Sequence, residues 1–161
     1  MILIALGANL PSPAGPPVAT LKSALIRLEE RGVKILSVSS FYESPAWPDP
    51  GQPSFTNAVA AVETALQPVE LLTLLHGVET DFGRLRSAPN AARTLDIDLL
   101  DYGGRVMEDG VTLPHPRMHQ RSFVLAPLAE VAPGWRHPVN GRSAAELLAG
   151  IPDRDAPKKL A

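Results

Sequence analysis

The chain contains no cysteine and no long uninterrupted run of apolar residues. The absence of cysteine excludes disulfide bonds and metal sites built from thiolates. The first apolar run, residues 2–6, is too short for a signal peptide, and no later run is long enough to cross a membrane. We therefore expect a cytoplasmic protein that does not contact a membrane.

An excess of charge of one sign is also missing. The formal net charge is -2, and the basic residues form no lysine-rich tail, so a nucleic-acid partner is not expected. The 161 residues, of which 45% are hydrophobic, are enough for one domain with a sizeable core. We expect a single domain over residues 1–161 that acts as a monomer on small molecules.

Proline and glycine are concentrated in three segments, residues 7–17, 45–53 and 114–116. Segments this rich in turn-forming residues cannot continue a helix or a central strand. Long ordered loops in a compact domain are more often functional than incidental. The three segments are therefore predicted to be loops, with binding as their expected role.

The apolar pattern between these loops alternates between strand and helix. It predicts strands over residues 2–6, 35–42, 55–64 and 95–102, helices over residues 18–31 and 68–82, and shorter helices over residues 121–131 and 143–148. The order β-α-β-β-α-β is that of the split βαβ, ferredoxin-like arrangement. We expect an α+β fold whose antiparallel sheet has helices on one face and long active-site loops on the other.

Two aspartates, Asp96 and Asp98, lie one residue apart in an apolar, strand-like run. In an extended chain they project from the same face, as Phe55 and Asn57 do on their own strand. Mg²⁺ prefers oxygen ligands and is commonly held by one or two carboxylates together with substrate phosphates. The alternative is an ordinary solvated strand face.

The basic residues near the aspartate pair in the sequence are arginines, not lysines. No lysine occurs between Lys34 and Lys158, whereas six arginines fall in one stretch, namely Arg84, Arg86, Arg93, Arg105, Arg117 and Arg121. The planar guanidinium donates two parallel hydrogen bonds to phosphate, which indicates a metal-bound polyphosphate beside the aspartates. Any one arginine could instead pair with Glu79, Asp81 or Asp101. The sequence G-x-x-x-x-G-K-[ST] is absent, which excludes a phosphate loop of that type.

His115 and His119 have the spacing of a zinc pair on a helix, but Pro114 and Pro116 disfavour helical geometry there. We therefore predict that His115 contacts a phosphate or nucleotide and that His119 lies on the surface.

Three aromatic residues, Trp47, Phe55 and Phe123, could converge on a flat heterocycle, although core packing is the commoner role of such side chains. Asn57 favours the binding role. Its carboxamide offers a donor and an acceptor next to Phe55, which suits a ring with amide-like groups at its edge.

Together these motifs resemble the 6-hydroxymethyl-7,8-dihydropterin pyrophosphokinase family of folate biosynthesis, and the similarity runs through nearly the whole chain. Its most specific part is Arg93-Thr94-Leu95-Asp96-Ile97-Asp98, followed about twenty residues later by Pro114-His115-Pro116-Arg117-Met118. Further similar segments are Gly7-Ala8-Asn9-Leu10, Ser39-Ser40-Phe41-Tyr42 with Ser44-Pro45, Phe55-Thr56-Asn57-Ala58, Glu79 with Gly83-Arg84, and Arg121 with Phe123.

The resemblance implies a ferredoxin-like fold, ATP as co-substrate and two Mg²⁺ ions held by Asp96 and Asp98. It implies ATP contacts from Glu79, Arg84, Arg93, Leu99 (through its backbone), Thr112, His115 and Arg121. It implies a pterin site formed by Ser44, Pro45, Trp47, Phe55, Asn57, Asp96 and Phe123. The expected catalytic residues are Arg84, Arg93, Asp96 and Asp98.

The expected reaction is attack of the pterin hydroxymethyl oxygen on the β-phosphorus of ATP, with AMP as the leaving group. A two-metal phosphohydrolase using the same carboxylates is one alternative, and it would release phosphate from ATP without any pterin. A noncatalytic nucleotide-binding regulatory domain is another, since ferredoxin-like sheets host many functions. It would leave Phe55, Asn57 and Phe123 unexplained.

Overall fold

The regular elements follow the predicted order along the chain. The computed structural model describes residues 1–46, 51–84, 93–152 and 156–160. Within these ranges the elements are β1 (Ile2–Ala8), α1 (Pro17–Glu30), β2 (Lys34–Val38), β3 (Tyr42–Ser44), β4 (Phe55–Glu63), α2 (Pro68–Asp81), β5 (Asp96–Tyr102), a 3₁₀ turn (Met118–Gln120), α3 (Ser122–Val131), α4 (Ala144–Ala149) and β6 (Lys158–Lys159). No helix in the described part of the chain is long and apolar enough to span a bilayer.

The strands form one antiparallel sheet in which β1 is an interior strand, between β4 and β5. The order is β5-β1-β4-β3-β6, and β2 also pairs with β4. The predicted α+β, ferredoxin-like class is therefore confirmed. An interior position for β1 follows from its sequence, because apolar side chains on both of its faces must be buried.

The single strand predicted over residues 35–42 is in fact two strands, β2 and β3, that both pair with β4. Ser39 lies at the break between them. Its N–H donates to the Val59 carbonyl at 2.9 Å, and its Oγ accepts a hydrogen bond from the Val59 N–H at 3.0 Å. The Val59 N–H is thus bonded to a side-chain oxygen in place of a backbone carbonyl of the neighbouring strand. This side-chain bond competes with regular strand pairing and interrupts it between β2 and β3.

One face of the sheet packs against α1 and α2. Leu21 and Leu28 of α1 and Leu71 and Leu75 of α2 are fully buried in one core cluster, which also contains sheet residues Ile4, Leu6, Ile97 and Leu99. The seven-residue spacing in α1 and the four-residue spacing in α2 place each pair of leucines on one helix face, as expected for amphipathic helices. Burial of each such side chain contributes about 1.5–3 kcal/mol.

The opposite face differs from the expectation, because helices cover part of it as well. Leu3, Val59 and Leu100 alternate with the residues of the first core and cluster with α3 and α4. Strands that are apolar on both faces need a cover on each face. The end of this second face, around Gly7, carries the polar residues Asn57 and Asp96.

Helix α2 begins as predicted, with Pro68 in its first turn, and a reciprocal capping box between Gln67 and Glu70 fixes its start. The helix ends at Asp81, and shortly after it Gly83 has a φ of +84°, which is easily reached only by glycine. The reversal at Gly83 turns the chain so that Arg84 points back toward β5.

Candidate active site

Three neighbouring strands bring the polar residues of the candidate site side by side. The register pairs Gly7 of β1 with Asp96 of β5 on one side and with Asn57 of β4 on the other. Ala5 pairs with Asp98 in the same way. The aspartates and Asn57 therefore lie on the same sheet face, which the register decides and the two-residue period of each strand alone could not.

Gly7 is needed at this position because the Asn57 carboxamide lies over it. A Cβ on Gly7 would be 2.7 Å from Asn57 Oδ1, closer than real Cβ contacts come. The Asn57 Nδ2 donates a hydrogen bond to Ser44 Oγ at 3.0 Å, and both residues are buried. Ser44 and Asn57, predicted together, therefore form one fixed polar pair on the site face.

The remaining predicted pterin residues differ in exposure. Phe55 and Phe123 are half-buried, and Pro45 is exposed. The Arg121 guanidinium lies over the Phe123 ring, 5.6 Å from its centroid. This contact links the aromatic residue at the start of α3 to the cationic part of the site. Trp47 lies outside the described residues.

Arginines converge on both aspartates. Asp96 accepts a hydrogen bond from Arg84 at 2.5 Å and forms an ion pair with Arg93 at 3.2 Å. The Asp98 Oδ2 is 3.8 Å from Nη1 of Arg121. Together they border a cavity of about 230 Å³, which is also lined by Leu72, His76, Glu79, Ile97 and His115. Three of the six arginines of the sequence motif thus contribute to one polar cavity.

Glu79 lies beneath the cavity, with only 2% of its side chain exposed. Its Oε2 accepts hydrogen bonds from Arg84 Nη1 at 2.7 Å and from the Ile97 N–H at 2.8 Å. Burial lowers the pKa of Arg84, but the charges of Asp96 and Glu79 outweigh it and hold that pKa above its ordinary value. Glu79 therefore anchors a permanently charged arginine to β5, and contact with a nucleotide stays a prediction.

The charged form of Asp98 is disfavoured by its surroundings. Burial and the nearby charge of Asp96 raise its pKa to about 7, although Arg121 opposes the shift. A divalent cation between the two aspartates would relieve this repulsion. Among the described residues no group of three or more potential His, Cys, Asp or Glu ligands comes together. Two carboxylates alone suit Mg²⁺, which completes its shell with water and phosphate.

His115 is held beside Asp98 by the backbone. Its N–H donates to the Leu100 carbonyl at 2.8 Å, and its Nδ1 accepts from the Arg117 N–H at 3.2 Å. In the neutral ring the proton is therefore on Nε2, which is 3.9 Å from Asp98 Oδ2. Burial and the charge of Arg121 lower the pKa of His115 to about 4, so at neutral pH it is an uncharged donor.

His115 does not lie in a helix, as its flanking prolines predicted. The 3₁₀ turn begins only at Met118, after both prolines. His119, which was expected on the surface, is half-buried, and its ring contacts that of His137 at a centroid distance of 5.8 Å.

Several predicted residues do not join the cavity. The Leu99 side chain is buried in the core, so only its backbone could face a ligand. Thr112 is exposed and borders a second, more apolar cavity. Arg105 lies over the Tyr102 ring, and Arg117 is exposed. Neither arginine borders the first cavity. Arg86 falls outside the described residues.

Two residues that line the cavity, Leu72 and His76, were not predicted to do so. They are four apart on α2 and therefore share a helix face. Leu72 stands in the same leucine-rich run as the core residues Leu71 and Leu75, and an exposed histidine on a helix has no distinctive sequence signal. Only the position of α2 against the end of β5 reveals their place.

Comparison with known proteins gives a consistent result. Residues 3–133 match the family model described as 7,8-dihydro-6-hydroxymethylpterin-pyrophosphokinase (HPPK). A 2-amino-4-hydroxy-6-hydroxymethyldihydropteridine pyrophosphokinase of Pseudomonas aeruginosa is 40% identical over 152 residues, covering 94% of this chain and 91% of that protein. The protein of the same name from Synechocystis sp. is 39% identical over 151 residues, covering 92% of this chain and 75% of that protein.

The fold is also found among solved structures. Plasmodium falciparum HPPK-DHPS with pteroate matches with a TM-score of 0.72 at 14% identity, covering 92% of this chain. The chain spans 43% of the length of that protein. At this identity the similarity establishes the fold, and the family follows from the sequence matches. The chain therefore belongs to the 7,8-dihydro-6-hydroxymethylpterin-pyrophosphokinase family.

Proposed function

We propose that this protein transfers diphosphate from ATP to the hydroxymethyl group of 6-hydroxymethyl-7,8-dihydropterin, giving AMP and the pterin diphosphate in tetrahydrofolate biosynthesis. The observation that carries the proposal is the placement of two kinds of site on one sheet face. Asp96 and Asp98 with their arginines suit a metal-bound polyphosphate, and Asn57 with Ser44 suits the polar edge of a ring. The names of the relatives in Pseudomonas and Synechocystis support the same activity.

The triphosphate of ATP would lie in the cavity between Arg84, Arg93 and Arg121. Guanidinium groups form charge-assisted, bidentate hydrogen bonds whose geometry matches that of phosphate. His115 would donate from Nε2 without adding a further positive charge. The proposed contacts of the nucleotide also include Glu79, Thr112 and the backbone of Leu99.

Asp96 and Asp98 would hold the two Mg²⁺ ions. When bound, such ions neutralise the phosphate charge and orient the reacting oxygens. In the described structure Asp96 is already balanced by Arg84 and Arg93, whereas Asp98 has only longer contacts with cations. Because the pKa of Asp98 is raised and its contacts with cationic groups are longer, a bound cation would stabilise the charged form of Asp98 more than that of Asp96.

The pterin would lie between Phe55 and Phe123, with its amide-like edge at Asn57. The hydrogen bond from Asn57 Nδ2 to Ser44 fixes the carboxamide, so that the site need not order this side chain when it binds the ring. Pro45 and Trp47 would complete the pocket, and Asp96 would approach the hydroxymethyl group.

The proposed chemical step is in-line displacement at the β-phosphorus. A bond forms from the hydroxymethyl oxygen to phosphorus, the bond to the oxygen bridging the α-phosphate breaks, and the alcohol proton is lost to solvent. Phosphoryl transfer depends mainly on positioning and electrostatic stabilisation. Holding the two substrates in line can supply roughly 7–11 kcal/mol of the barrier. The residues of this chain therefore act by orienting both substrates and balancing charge.

Product identification tests the proposal directly. The protein is incubated with ATP, Mg²⁺ and the hydroxymethyl dihydropterin, and the products are identified by mass. AMP together with pterin diphosphate is the expected result. Phosphate release from ATP without the pterin would contradict the proposal and favour a phosphohydrolase. Binding of ATP without turnover would favour a regulatory domain.

The monomeric state, the cytoplasmic location and the single domain over residues 1–161 stay predictions. Size-exclusion chromatography with light scattering tests the first of these. A mass of one chain, 17.2 kDa, is the expected result.

A further inference from the structure

Asn9, the residue directly after β1, lies between two segments that lead to different parts of the candidate site. Its exposed fraction is only 2%, although its side chain is a polar carboxamide. Burial of such a polar group destabilises the folded protein unless the group makes hydrogen bonds there. The partners of Asn9 therefore indicate what the residue does.

On the nucleotide side, Asn9 holds the backbone of Arg93. Asn9 Oδ1 accepts a hydrogen bond from the Arg93 N–H at 2.8 Å. The Arg93 carbonyl accepts from the N–H groups of Asn9 at 3.1 Å and Leu10 at 3.3 Å. Both backbone polar groups of Arg93 are thus fixed to the end of β1. Arg93 in turn reaches Asp96 in the phosphate cavity.

On the pterin side, the same carboxamide holds the segment that leads into β4. Asn9 Nδ2 donates to the Pro53 carbonyl at 3.1 Å and to Gln52 Oε1 at 3.4 Å. Two residues beyond Pro53 the chain reaches Phe55, and Asn57 follows. The residues proposed to bind the pterin therefore begin directly after a segment bonded to Asn9.

The orientation of the carboxamide is determined by its backbone partners. An N–H group can only donate and a carbonyl can only accept, so Oδ1 must face Arg93 and Nδ2 must face Pro53. In a flipped amide, Nδ2 would face the Arg93 N–H, donor against donor. Oδ1 would face the Pro53 carbonyl, acceptor against acceptor. Asn9 therefore requires both segments to keep the positions seen here at the same time.

We propose that Asn9 is a positioning residue that couples the two substrate sites, so that binding at the pterin site stabilises the Arg93 conformation that binds nucleotide, and the reverse. The inference rests on the proposed function, because it assigns one substrate to each side. Coupling between sites is reciprocal, and typical values change an affinity by about 5- to 150-fold. Wild-type protein is expected to bind the pterin at least about fivefold more tightly when nucleotide is present.

The variant Asn9→Asp separates the two sides. It keeps the oxygen that accepts from the Arg93 N–H, but it places a carboxylate oxygen against the Pro53 carbonyl and Gln52 Oε1, where a donor is required. Pterin affinity is measured by its fluorescence, with Mg²⁺ present, in the presence and absence of an ATP analogue with methylene in place of the α,β-bridging oxygen. The ratio of the two affinities should fall to below about twofold in the variant.

Two further variants keep the test independent of folding. Gln52→Ala removes one acceptor of Asn9 Nδ2 and should reduce the ratio partly. Ser12→Ala is the matched control in the same loop, since Ser12 Oγ bonds Thr20 Oγ1 at 2.7 Å and the Ala14 N–H at 3.0 Å but neither Arg93 nor Pro53. It should leave the ratio unchanged.

The outcomes separate the inference from the proposed function. The role of Asn9 would be overturned if nucleotide did not change the pterin affinity of the wild-type protein. It would also be overturned if folded Asn9→Asp and Gln52→Ala proteins kept the same affinity ratio as the wild-type protein. In both cases turnover of the pterin would continue. Weaker binding of each substrate alone with an unchanged ratio would show a purely structural role and would also overturn it. A wild-type protein that neither binds nor converts the pterin contradicts the proposed function itself.

Discussion

Replacement of Glu79 is the sharpest test of how the cavity is built. Glu79→Ala leaves the buried Ile97 N–H without an acceptor and removes one of the two carboxylates that balance Arg84. Glu79→Gln keeps an oxygen for the Ile97 N–H but loses the negative charge. The two variants therefore separate the backbone contact from the ion pair.

The structure sets the expected magnitudes. An unsatisfied buried donor costs about 1–3 kcal/mol, and breaking a buried ion pair costs about 3–5 kcal/mol. The two costs would sum to about 4–8 kcal/mol, but because Arg84 keeps Asp96 as a partner we expect less than the full sum, about 3–5 kcal/mol, for Glu79→Ala. For a chain of this size, 1 kcal/mol corresponds to about 2–4 °C in Tm, so the Tm should fall by roughly 6–20 °C. Glu79→Gln should cost about 1–3 kcal/mol.

Urea unfolding and nucleotide binding provide the assay. Without the ion pair to Glu79, Arg84 is no longer held in position to bind phosphate. The binding free energy of ATP should then weaken by about 1.5–3 kcal/mol, the contribution of a charged hydrogen bond, which corresponds to a roughly 10- to 100-fold lower affinity. Arg84→Met serves as the partner variant. The double variant Glu79→Gln/Arg84→Met should be less destabilised than the sum of the single variants by about 0.5–3 kcal/mol. Additive effects, or a cost below about 1 kcal/mol for Glu79→Ala, would refute the reasoning.

Three other predictions address the site. Asp96→Ala and Asp98→Ala should each lower turnover by roughly 10²-fold or more while circular dichroism shows an intact fold, and activity retained in both variants would contradict the metal assignment. Gly7→Ala forces a methyl group against Asn57 Oδ1, so it should cost about 1–3 kcal/mol in stability and raise the KM for the pterin. The matched control Gly134→Ala, where no atom lies within 4 Å of the added Cβ, should be nearly neutral, and equal effects in the two variants would argue against a packed Asn57. His115 has a folded pKa of about 4, below its unfolded value, so the stability it contributes is present above about pH 6.5 and is lost as the pH falls toward 4. The free energy of unfolding is measured in urea, with chelator, at pH 7 and at pH 4.5. Between these two pH values it should fall by up to about 3 kcal/mol more in the wild-type protein than in His115→Asn, and equal falls would contradict a buried neutral histidine.

Local sequence was sufficient for the features that depend on short-range geometry. The apolar pattern over residues 68–82 predicted α2, and the helix ends just before Gly83, because helical spacing and positive φ are local properties. The prolines around His115 correctly excluded a helix there. The shared face of Asp96 and Asp98 followed from the two-residue period of a strand.

Local sequence was not sufficient for the features that depend on which segments meet. The period of two could not say which face the aspartates choose, and it did not show that α3 and α4 would cover part of that face. The division of residues 35–42 into β2 and β3 depends on a bond between Ser39 and the distant Val59. Leu72 and His76 gave no signal of their own.

The sequence by itself determined the chemistry of this protein, since two carboxylates, the arginines and a carboxamide carry their charges and hydrogen-bonding groups wherever they lie. The tertiary structure alone decided which of them act together. It brought Arg84, Arg93 and Arg121 to the aspartates, left Arg105 on the surface, and buried Glu79 as a support. The reason is that strand order and helix packing are set by burial of the whole apolar surface, which no single motif encodes.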